Sequence, residues 1–272
     1  MTDSQTPLIS IITITYNSVE TIENTIKSVI SQNYNNYEYI IIDGASKDDT
    51  LEIVNKYREN ISVIVSEPDK GISDAFNKGI KHASGEIIGI INSDDILLPG
   101  ALKALKECYS PEVDVYRGRL FVNNPQTGFK YSSGEPTLYC PVSSYMKLNV
   151  CHPSTFITKR AYKKVGGYKT YLRYIMDIDM LFRLTKARCI FKYVPYELAQ
   201  FNLGGATSNA FYKKISERYR VIRENDGTML WGAYVSMSCM IKDIIKLAID
   251  KTFGDDFKNH FLKSKKRHRF RI

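Results

Sequence analysis

The sequence predicts an α/β fold with a mostly parallel sheet flanked by helices. In the first hundred residues, short runs of β-branched and aliphatic residues alternate with segments of helical periodicity. Strands that alternate with helices indicate βαβ units, in which the strands pair in parallel. Of the 272 residues, 43% are hydrophobic and 25% are charged, so the chain is long enough for a full core and ordinary in composition.

Four strands and three helices are predicted in this first part. The strands are Leu8–Thr15, Tyr37–Ile42, Ile61–Val65 and Glu86–Ile91. The helices are Val19–Gln32, Leu51–Tyr57 and Ser73–Ala83. The acidic and hydroxyl side chains at 48–50 and the hydroxyl of Ser73 are of types that cap helix starts, and Gly85 ends the third helix.

Beyond Pro99 the alternation is less regular. The expected elements are a helix at Ala101–Tyr109, a strand at Val113–Val122, and helices at Lys159–Val165, Met176–Lys186, Ser208–Glu224 and Leu230–Ile249. Residues 123–148 are rich in Gly, Pro, Ser, Asn and Tyr, as is typical of a loop that covers a substrate. We therefore predict two halves of one domain, 1–100 and 101–207, followed by C-terminal helices and a basic tail at 208–272.

The cysteines indicate a reducing compartment. Five scattered cysteines without a CxxC pair suit free thiols better than a disulfide framework or a zinc site. Neither a signal peptide nor an apolar run of about 18 residues is recognisable. We expect a cytoplasmic protein.

Much of the net charge of +9 belongs to the end of the chain, because residues 258–272 contain seven Lys and Arg and no acid. Such a tail binds anionic lipid or nucleic acid, or stays solvated. The acidic strand ends described below argue against nucleic acid. Since Met and Ile residues form one apolar face on the preceding predicted helix, we expect a peripheral anchor on the inner face of an anionic membrane.

Polar segments follow all four predicted strands of the first part. They are Thr15-Tyr16-Asn17, Asp43-Gly44-Ala45-Ser46, Glu67-Pro68-Asp69-Lys70-Gly71 and Asn92-Ser93-Asp94-Asp95. Each segment alone could be a turn. Parallel strands end at the same edge of a sheet, however, so the repetition predicts one ligand site there.

The adjacent carboxylates of Asp94 and Asp95 suit a divalent cation. Mg²⁺ and Mn²⁺ prefer oxygen ligands and are commonly held by a few carboxylates plus the phosphates of a substrate. The chain has neither a G-x-x-x-x-G-K-[ST] loop nor a G-x-G-x-x-G segment after the first strand. These absences argue against a P-loop NTPase and a dinucleotide-binding enzyme, and predict that a cation meets the phosphate charge.

Residues 7–205 resemble the family 2 glycosyltransferases, which have the GT-A fold. The resemblance is carried by residues 11–17, 42–50, 66–79, 83–86 and 92–95, and by residues 151–156 and 176–184 on the acceptor side. These motifs occur in the order of the family. The chain is most similar to the branch that builds bacterial O-antigen, capsule and exopolysaccharide.

The resemblance implies an inverting transfer of a sugar from a nucleotide donor to a glycan or a lipid-linked acceptor. It implies donor-binding roles for residues at the four strand ends: Thr15, Tyr16, Asn17, Asp43, Gly44, Ser46, Asp69, Lys70, Gly71, Asn92, Ser93, Asp94 and Asp95. Asp43 would accept from the imide N–H of uracil, although thymine presents the same edge. Asp94 would contact the ribose or the metal, and Asp95 would bind the Mn²⁺ or Mg²⁺ that bridges the diphosphate.

On the acceptor side, the resemblance implies that Asp177 is the general base, with His152 and Asp179 in secondary roles. Asp177 and Asp179 are two residues apart on a predicted helix and therefore point about 200° apart, so only one can face the donor. The other would cap the helix or pair with Arg183, four residues further on.

The chain departs from the family pattern at two positions. Ile14 stands where the family usually has Pro, which changes backbone stiffness more than chemistry. Asn92 replaces the first acid of the D-x-D motif, but Asp94 and Asp95 remain, so we expect metal binding to persist. Two alternatives stay open at this point: a sugar-nucleotide pyrophosphorylase, and an inactive glycan-binding or scaffold protein.

Overall fold

The first four strands form a parallel sheet. The computed structural model describes residues 6–124, 128–203, 211–242 and 244–245 of the chain. The strands are β1 (Ile9–Thr15), β2 (Tyr37–Asp43), β3 (Val63–Ser66) and β4 (Ile87–Asn92). The helices between them are α1 (Ile22–Ile30), α2 (Thr50–Lys56) and α3 (Ile72–His82). All three pairings are parallel, in the order β3-β2-β1-β4, which confirms the predicted βαβ arrangement.

The second part of the chain extends this sheet and makes it mixed. Its strands are β5 (Ile96–Leu97), β6 (Val115–Asn123), β7 (Lys130–Ser132), β8 (Thr155–Thr158) and β9 (Phe191–Asn202). Its helices are α4 (Ala101–Cys108), α5 (Lys159–Val165) and α6 (Met176–Lys186). The full order in the described residues is β3-β2-β1-β4-β8-β6-β9-β5, with β7 paired to β6. Strand β8 is antiparallel to both β4 and β6, so one sheet contains strands from both predicted halves.

Two hydrophobic layers cover the sheet because side chains alternate along each strand. Ile11 and Ile41 belong to the layer under α1 and α4, whereas Ile12 and Ile40 belong to the layer under α3, α5 and α6. All four are fully buried. At about 1.5–3 kcal/mol for each fully buried aliphatic side chain, these layers hold the parallel strands in register and fix their polar ends.

Two helices follow the sheet, α7 (Phe211–Glu224) and α8 (residues 229–242). Val221, Ile222 and Val235 pack into the same layer as α6, which docks both helices on the second half of the sheet. Among the residues that the structure describes, no helix combines the length and apolar character needed to cross a membrane. The basic tail at 258–272 lies outside the described residues.

Candidate active site

The polar strand ends lie together at one edge of the sheet. The backbone N–H of Gly44 donates to the Thr15 carbonyl at 2.9 Å, which joins the ends of β1 and β2. The hydroxyls of Ser18 and Ser93 lie 2.8 Å apart and join the ends of β1 and β4. The structure therefore brings the predicted segments into one site.

Asn17 fixes the loop that follows β1. Its backbone is in the left-handed region at φ 48°, where asparagine is among the favoured non-glycine residues. Its N–H donates to the Ser46 hydroxyl at 2.8 Å, and its Oδ1 accepts from the Lys47 N–H at 2.7 Å. The neighbouring Tyr16 is 59% exposed, so its ring can stack on a flat ligand.

Asp43 is fully buried at the end of β2 and is held by three donors. They are the Ser46 N–H at 3.0 Å, the Ser46 hydroxyl at 2.5 Å and the Ser66 hydroxyl at 2.6 Å. An ionised carboxylate has about four acceptor positions, so about one remains for a ligand. Because the side chain is enclosed, a base could reach it only if the segment around Ser46 moves.

Gly44 permits a close approach between three strand ends. A Cβ at this position would lie 2.7 Å from Asp69 Oδ2 and 3.3 Å from the ring of Tyr16. Asp69 in turn accepts from the Gly71 N–H at 2.7 Å, which shapes the turn after β3. Lys70, between them, is exposed to solvent.

The two carboxylates after β4 differ in exposure. Asp95 is fully buried and Asp94 is partly exposed. The Asn92 amide donates to Asp95 Oδ2 at 3.1 Å. Burial, followed by the charge of Asp94, raises the pKa of Asp95 well above its ordinary value, and burial also raises the pKa of Asp94. Ionising both carboxyls side by side costs free energy, and a bound cation would lower that cost.

The side chains present fit a divalent metal that a substrate helps to hold. Thr15 Oγ1, Asn92 Oδ1 and Asp95 Oδ1 are buried without a hydrogen-bond partner in the described part of the chain. Among the described residues, no group of three His, Cys, Asp or Glu side chains could hold a metal alone. A site with one or two carboxylates is what Mg²⁺ and Mn²⁺ use when phosphates supply the other ligands.

Asp177 is the second residue of α6, and its carboxyl has a raised pKa. Burial raises its pKa to about 6, and the Ile178 N–H and the charge of Arg117 oppose that rise. The Ile178 N–H donates to Asp177 Oδ1 at 2.8 Å, which leaves Oδ2 for a substrate. A base with a pKa near the working pH both ionises and accepts protons effectively.

The segment before α6 packs against the end of β3 and the start of α3. The Ser73 hydroxyl donates to the Leu172 carbonyl at 2.6 Å. The guanidinium of Arg173 lies over Gly71, with Nε 3.5 Å from where a Cβ would stand. The segment that leads into α6, and so into Asp177, therefore touches the turn between β3 and α3.

Comparison with known proteins decides the family. A model described as glycosyl transferase family 2 matches residues 10–166, more than half of the chain. The chain belongs to glycosyl transferase family 2. Its enzymatic class is therefore glycosyltransferase, rather than the pyrophosphorylase or inactive scaffold considered above.

Relatives of this glycosyltransferase are also named glycosyltransferases. An uncharacterized glycosyltransferase of Mycobacterium tuberculosis is 30% identical over 179 residues, 65% of this chain and 68% of the relative. A PGL/p-HBAD biosynthesis glycosyltransferase of Mycobacterium bovis is 25% identical over 215 residues, 76% of this chain and 82% of the relative. The putative glycosyltransferase EpsE of Bacillus subtilis is 28% identical over 186 residues, 65% of this chain and 66% of the relative.

Solved structures share the fold of this glycosyltransferase at low sequence identity. The mannosyltransferase PcManGT of Pyrobaculum calidifontis, in complex with GDP-Man and Mn²⁺, has a TM-score of 0.65 and 16% identity, covering 97% of this chain and 80% of that one. TarS 1–349 of S. aureus, in complex with UDP-GlcNAc, has a TM-score of 0.62 and 19% identity, covering 82% of this chain and 69% of that one. The GT-A fold expected from the sequence is confirmed.

In the glycosyltransferase, Asp179 has a different environment from Asp177. It is fully buried, and its oxygens accept from Lys169 Nζ at 2.8 Å, Arg183 Nε at 2.7 Å and Asn225 Nδ2 at 3.0 Å. The predicted pairing with Arg183 is present. Its geometry is that of a structural cluster joining α6 to α7, and its secondary role toward an acceptor remains a prediction.

His152 lies behind the site, stacked on Phe76 with ring centroids 5.2 Å apart. Burial, reinforced by the charge of Arg117, lowers its pKa to about 4, so the ring is neutral at pH 7. Its Nε2 has no hydrogen-bond partner among the described residues. A neutral imidazole with one unused nitrogen can orient a hydroxyl, as predicted for the acceptor side, but carries no charge for a phosphate.

Arg117 is a functional candidate that the motif search does not find. It is fully buried in β6 and donates to Thr155 Oγ1 at 3.2 Å, to the Asn149 carbonyl at 2.9 Å, and to the carbonyls of Thr137 and Val150. It therefore ties the predicted substrate-covering loop to the sheet. The available signal is an arginine inside an otherwise apolar predicted strand, since buried arginine is rare unless paired.

Proposed function

We propose that this glycosyltransferase catalyses an inverting, metal-dependent transfer from a nucleotide-sugar, with a UDP-sugar as donor, to a hydroxyl of a glycan or lipid-linked acceptor. The observation that carries the proposal is Asp177. It combines a pKa of about 6 with a position four residues after Arg173, which lies against the donor-side turn at Gly71. A base on one side of the anomeric carbon and a diphosphate on the other suit direct displacement with inversion.

On the donor side, Asp94 and Asp95 would hold the metal, with Asn92 beside them. The metal, when bound, would supply a Lewis acid that neutralises the charge on the leaving diphosphate. Asp94 is the more accessible carboxylate, and Asp95 offers the unpartnered Oδ1. Mn²⁺ and Mg²⁺ both suit this oxygen donor set.

The nucleotide would lie on the loops after β1 and β2. Tyr16 offers an exposed ring for stacking, and Asp43 keeps about one acceptor position for an imide N–H. Uracil and thymine have that N–H. Guanine has a similar N1–H donor, and the structural neighbours include complexes with both UDP-GlcNAc and GDP-Man. We favour UDP because Asp43 suits the imide edge of a uracil ring.

On the acceptor side, Asp177 would accept the proton of the attacking hydroxyl. Its raised pKa of about 6 would let the carboxyl both ionise and accept a proton near neutral pH. His152 would orient the acceptor through its unused Nε2. From the sequence resemblance we propose a role in surface polysaccharide biosynthesis, and one relative carries a biosynthetic name, PGL/p-HBAD biosynthesis glycosyltransferase.

A nucleotide-release screen tests the proposal. The purified protein is incubated with UDP-, dTDP- and GDP-sugars in Mn²⁺, in Mg²⁺ and in EDTA, and the released nucleotide is measured. We expect release from at least one UDP-sugar, lost in EDTA and restored by metal. Absence of metal-dependent turnover with every donor, together with no calorimetric binding of UDP, would defeat it.

A membrane-facing surface forms the second part of the proposal. Five large apolar side chains at alternating spacings of four and three residues are between 48% and 80% exposed: Leu230, Tyr234, Met237 and Ile241 on α8, and Ile244 just beyond it. The chain continues into the seven Lys and Arg of residues 258–272. An apolar stripe followed by a basic cluster suits the interface of an anionic membrane, where a lipid-linked acceptor would be presented.

A further inference from the structure

Glu217 belongs to α7, but its carboxylate binds the backbone just before α6. Its Oε1 accepts from the Arg173 N–H at 2.9 Å, and its Oε2 accepts from the N–H groups of Tyr174 at 2.8 Å and Ile175 at 3.2 Å. Three consecutive N–H groups therefore share one carboxylate from another helix.

One of these N–H groups, that of Ile175, belongs to the start of α6. The first N–H groups of a helix have no intrahelical acceptor and are usually satisfied by a Ser, Thr, Asp or Asn side chain at the N-cap. The N-cap position of α6 is Ile175, which makes no side-chain capping bond. Of the three N–H groups bound by Glu217, that of Ile175 belongs to this N-terminal set, and those of Arg173 and Tyr174 lie just before the helix. The carboxylate also places a negative charge where the helix dipole favours one.

We propose that Glu217 is a positioning residue for Asp177, because it fixes the backbone from which the general base projects. Asp177 follows Ile175 by two residues, so displacement of the capped segment displaces the base. Reacting groups tolerate little error, since a misplacement of about 1 Å can cost about 100-fold in rate. The inference rests on the proposed function, in which Asp177 is the base.

Other contacts hold α7 in place independently of Glu217. Asn225 donates to Asp179 at 3.0 Å, and Glu224 accepts from Lys169 at 2.8 Å and from Tyr171 at 2.5 Å. A change at Glu217 should therefore leave α7 docked and act locally on the start of α6. Glu224, on the same helix and tied to the same loop but not to the N–H groups at 173–175, is the matched control.

The first experiment follows the cap itself by hydrogen–deuterium exchange in the full chain. Glutamine in Glu217→Gln keeps the size of the side chain but replaces one acceptor oxygen with an N–H₂ donor. We expect faster exchange of the amides at 173–175 in this variant, with the sheet unchanged and with no such change in Glu224→Gln. Unchanged protection at 173–175 would overturn the proposal.

The second experiment asks whether Glu217 acts through Asp177. With the donor identified by the screen, we expect Glu217→Gln to lower kcat about 10-fold and to leave UDP affinity unchanged. In the Asp177→Asn background the same change should alter kcat less than about twofold, because coupled residues are not additive. Equal losses in both backgrounds would show a purely structural role and would overturn the proposal.

The two experiments also separate this inference from the proposed function. If the wild-type protein turns over no donor, the assignment of Asp177 as base fails, and the positioning role fails with it. The exchange data would then still show whether Glu217 caps α6. If the wild-type protein is active and the exchange at 173–175 does not change, only the inference about Glu217 fails.

Discussion

Asp177 and Asp179 show at the residue scale how two carboxylates on one helix acquire different environments. In the described part of the chain, no cationic side chain is hydrogen-bonded to Asp177. Burial raises the pKa of its carboxyl to about 6. Asp179 is bound by Lys169, Arg183 and Asn225. The first can exchange a proton near neutral pH, whereas the second stabilises the join between α6 and α7.

Asp177→Asn tests the base. We expect kcat to fall by about 10²–10⁴-fold, which is the usual contribution of general-base catalysis, while UDP binding measured by calorimetry is retained. In the wild-type protein the rate should rise with pH to a plateau above about pH 6, because only the ionised carboxyl accepts a proton. A variant with normal kcat, or a wild-type rate that is flat from pH 5 to pH 8, would contradict this assignment.

Asp177→Asn should also not lower the free energy of unfolding above pH 6. The pKa of Asp177 is higher in the folded state than its ordinary value of 3.8, so ionisation destabilises the fold progressively between about pH 4 and pH 6. That cost is fully present above pH 6, and asparagine does not incur it. Asp177→Asn should therefore be at least as stable as the wild type at pH 8, which separates lost chemistry from lost folding.

Asp179→Ala tests the structural cluster. Removing the carboxylate leaves Lys169 and Arg183 without their partner beside a buried site, and breaking a buried ion pair in this way costs about 3 kcal/mol. Urea denaturation should show this loss in the free energy of unfolding. Lys186, which pairs with the exposed Asp226, provides the comparison, since Lys186→Ala should cost less than about 1 kcal/mol.

At the residue scale, the sequence predicts those site residues that directly follow a strand or belong to a motif. The polar strand ends were found because parallel strands end at one edge. Arg117 and Glu217 were not, because each acts on backbone carbonyl or N–H groups of distant segments, and backbone atoms leave no signature in the sequence. Partners at separations of 32 and 43 residues require the fold to be known.

At the element scale, the contact of β4 with β8 packs the strand that leads into Asp94 and Asp95, the proposed metal ligands. Gly89, in the middle of β4, faces the ring of Phe156 on β8, and a Cβ there would lie 2.2 Å from that ring. The antiparallel register pairs these two residues directly. Only glycine allows the ring to lie flat against the strand that ends in Asn92.

Gly89→Ala should therefore destabilise the protein by about 1–3 kcal/mol, the usual cost of overpacking a core. Because β4 leads into Asp94 and Asp95, we also expect weaker metal-dependent UDP binding, measured by calorimetry in Mn²⁺. Phe156→Leu in the Gly89→Ala background reduces the clash and should recover part of both losses. An alanine variant with unchanged stability would show that β8 can shift away without cost.

Elements with strong periodicity could be predicted from sequence, and elements formed by tertiary pairing could not. The bounds of α5 and α6 match the prediction, and β1 to β4 differ from it by one or two residues. Strands β5, β7 and β8 have two to four residues and exist because a neighbour pairs with them. The twelve residues of β9 mix polar and apolar types, so they show no clear period of two.

At the scale of the whole molecule, the exposed stripe on α8 is the main feature that the packed fold leaves unexplained. The opposite side of α8, through Val235, joins the core with α6 and α7. The stripe therefore faces outward from a helix that is itself firmly docked. Four of its five members lie on α8, and an apolar stripe of this kind suits a helix that lies on the surface of a bilayer.

Flotation with liposomes tests whether this surface meets a membrane. We expect the full chain to bind vesicles containing phosphatidylserine, less so in high salt, because each Lys or Arg near an anionic surface contributes about 1 kcal/mol. Replacing Met237, Ile241 and Ile244 with glutamine should reduce binding at least about 10-fold, since each loses apolar area that would be buried in the interface. The control variant replaces Tyr139 and Ile190, exposed apolar residues away from α8, and should bind normally.

Equal binding by the stripe variant and the control variant would reject the stripe as the membrane contact. If the wild type forms dimers at high concentration and only the stripe variant does not, the stripe would instead be the contact with a second copy of the chain.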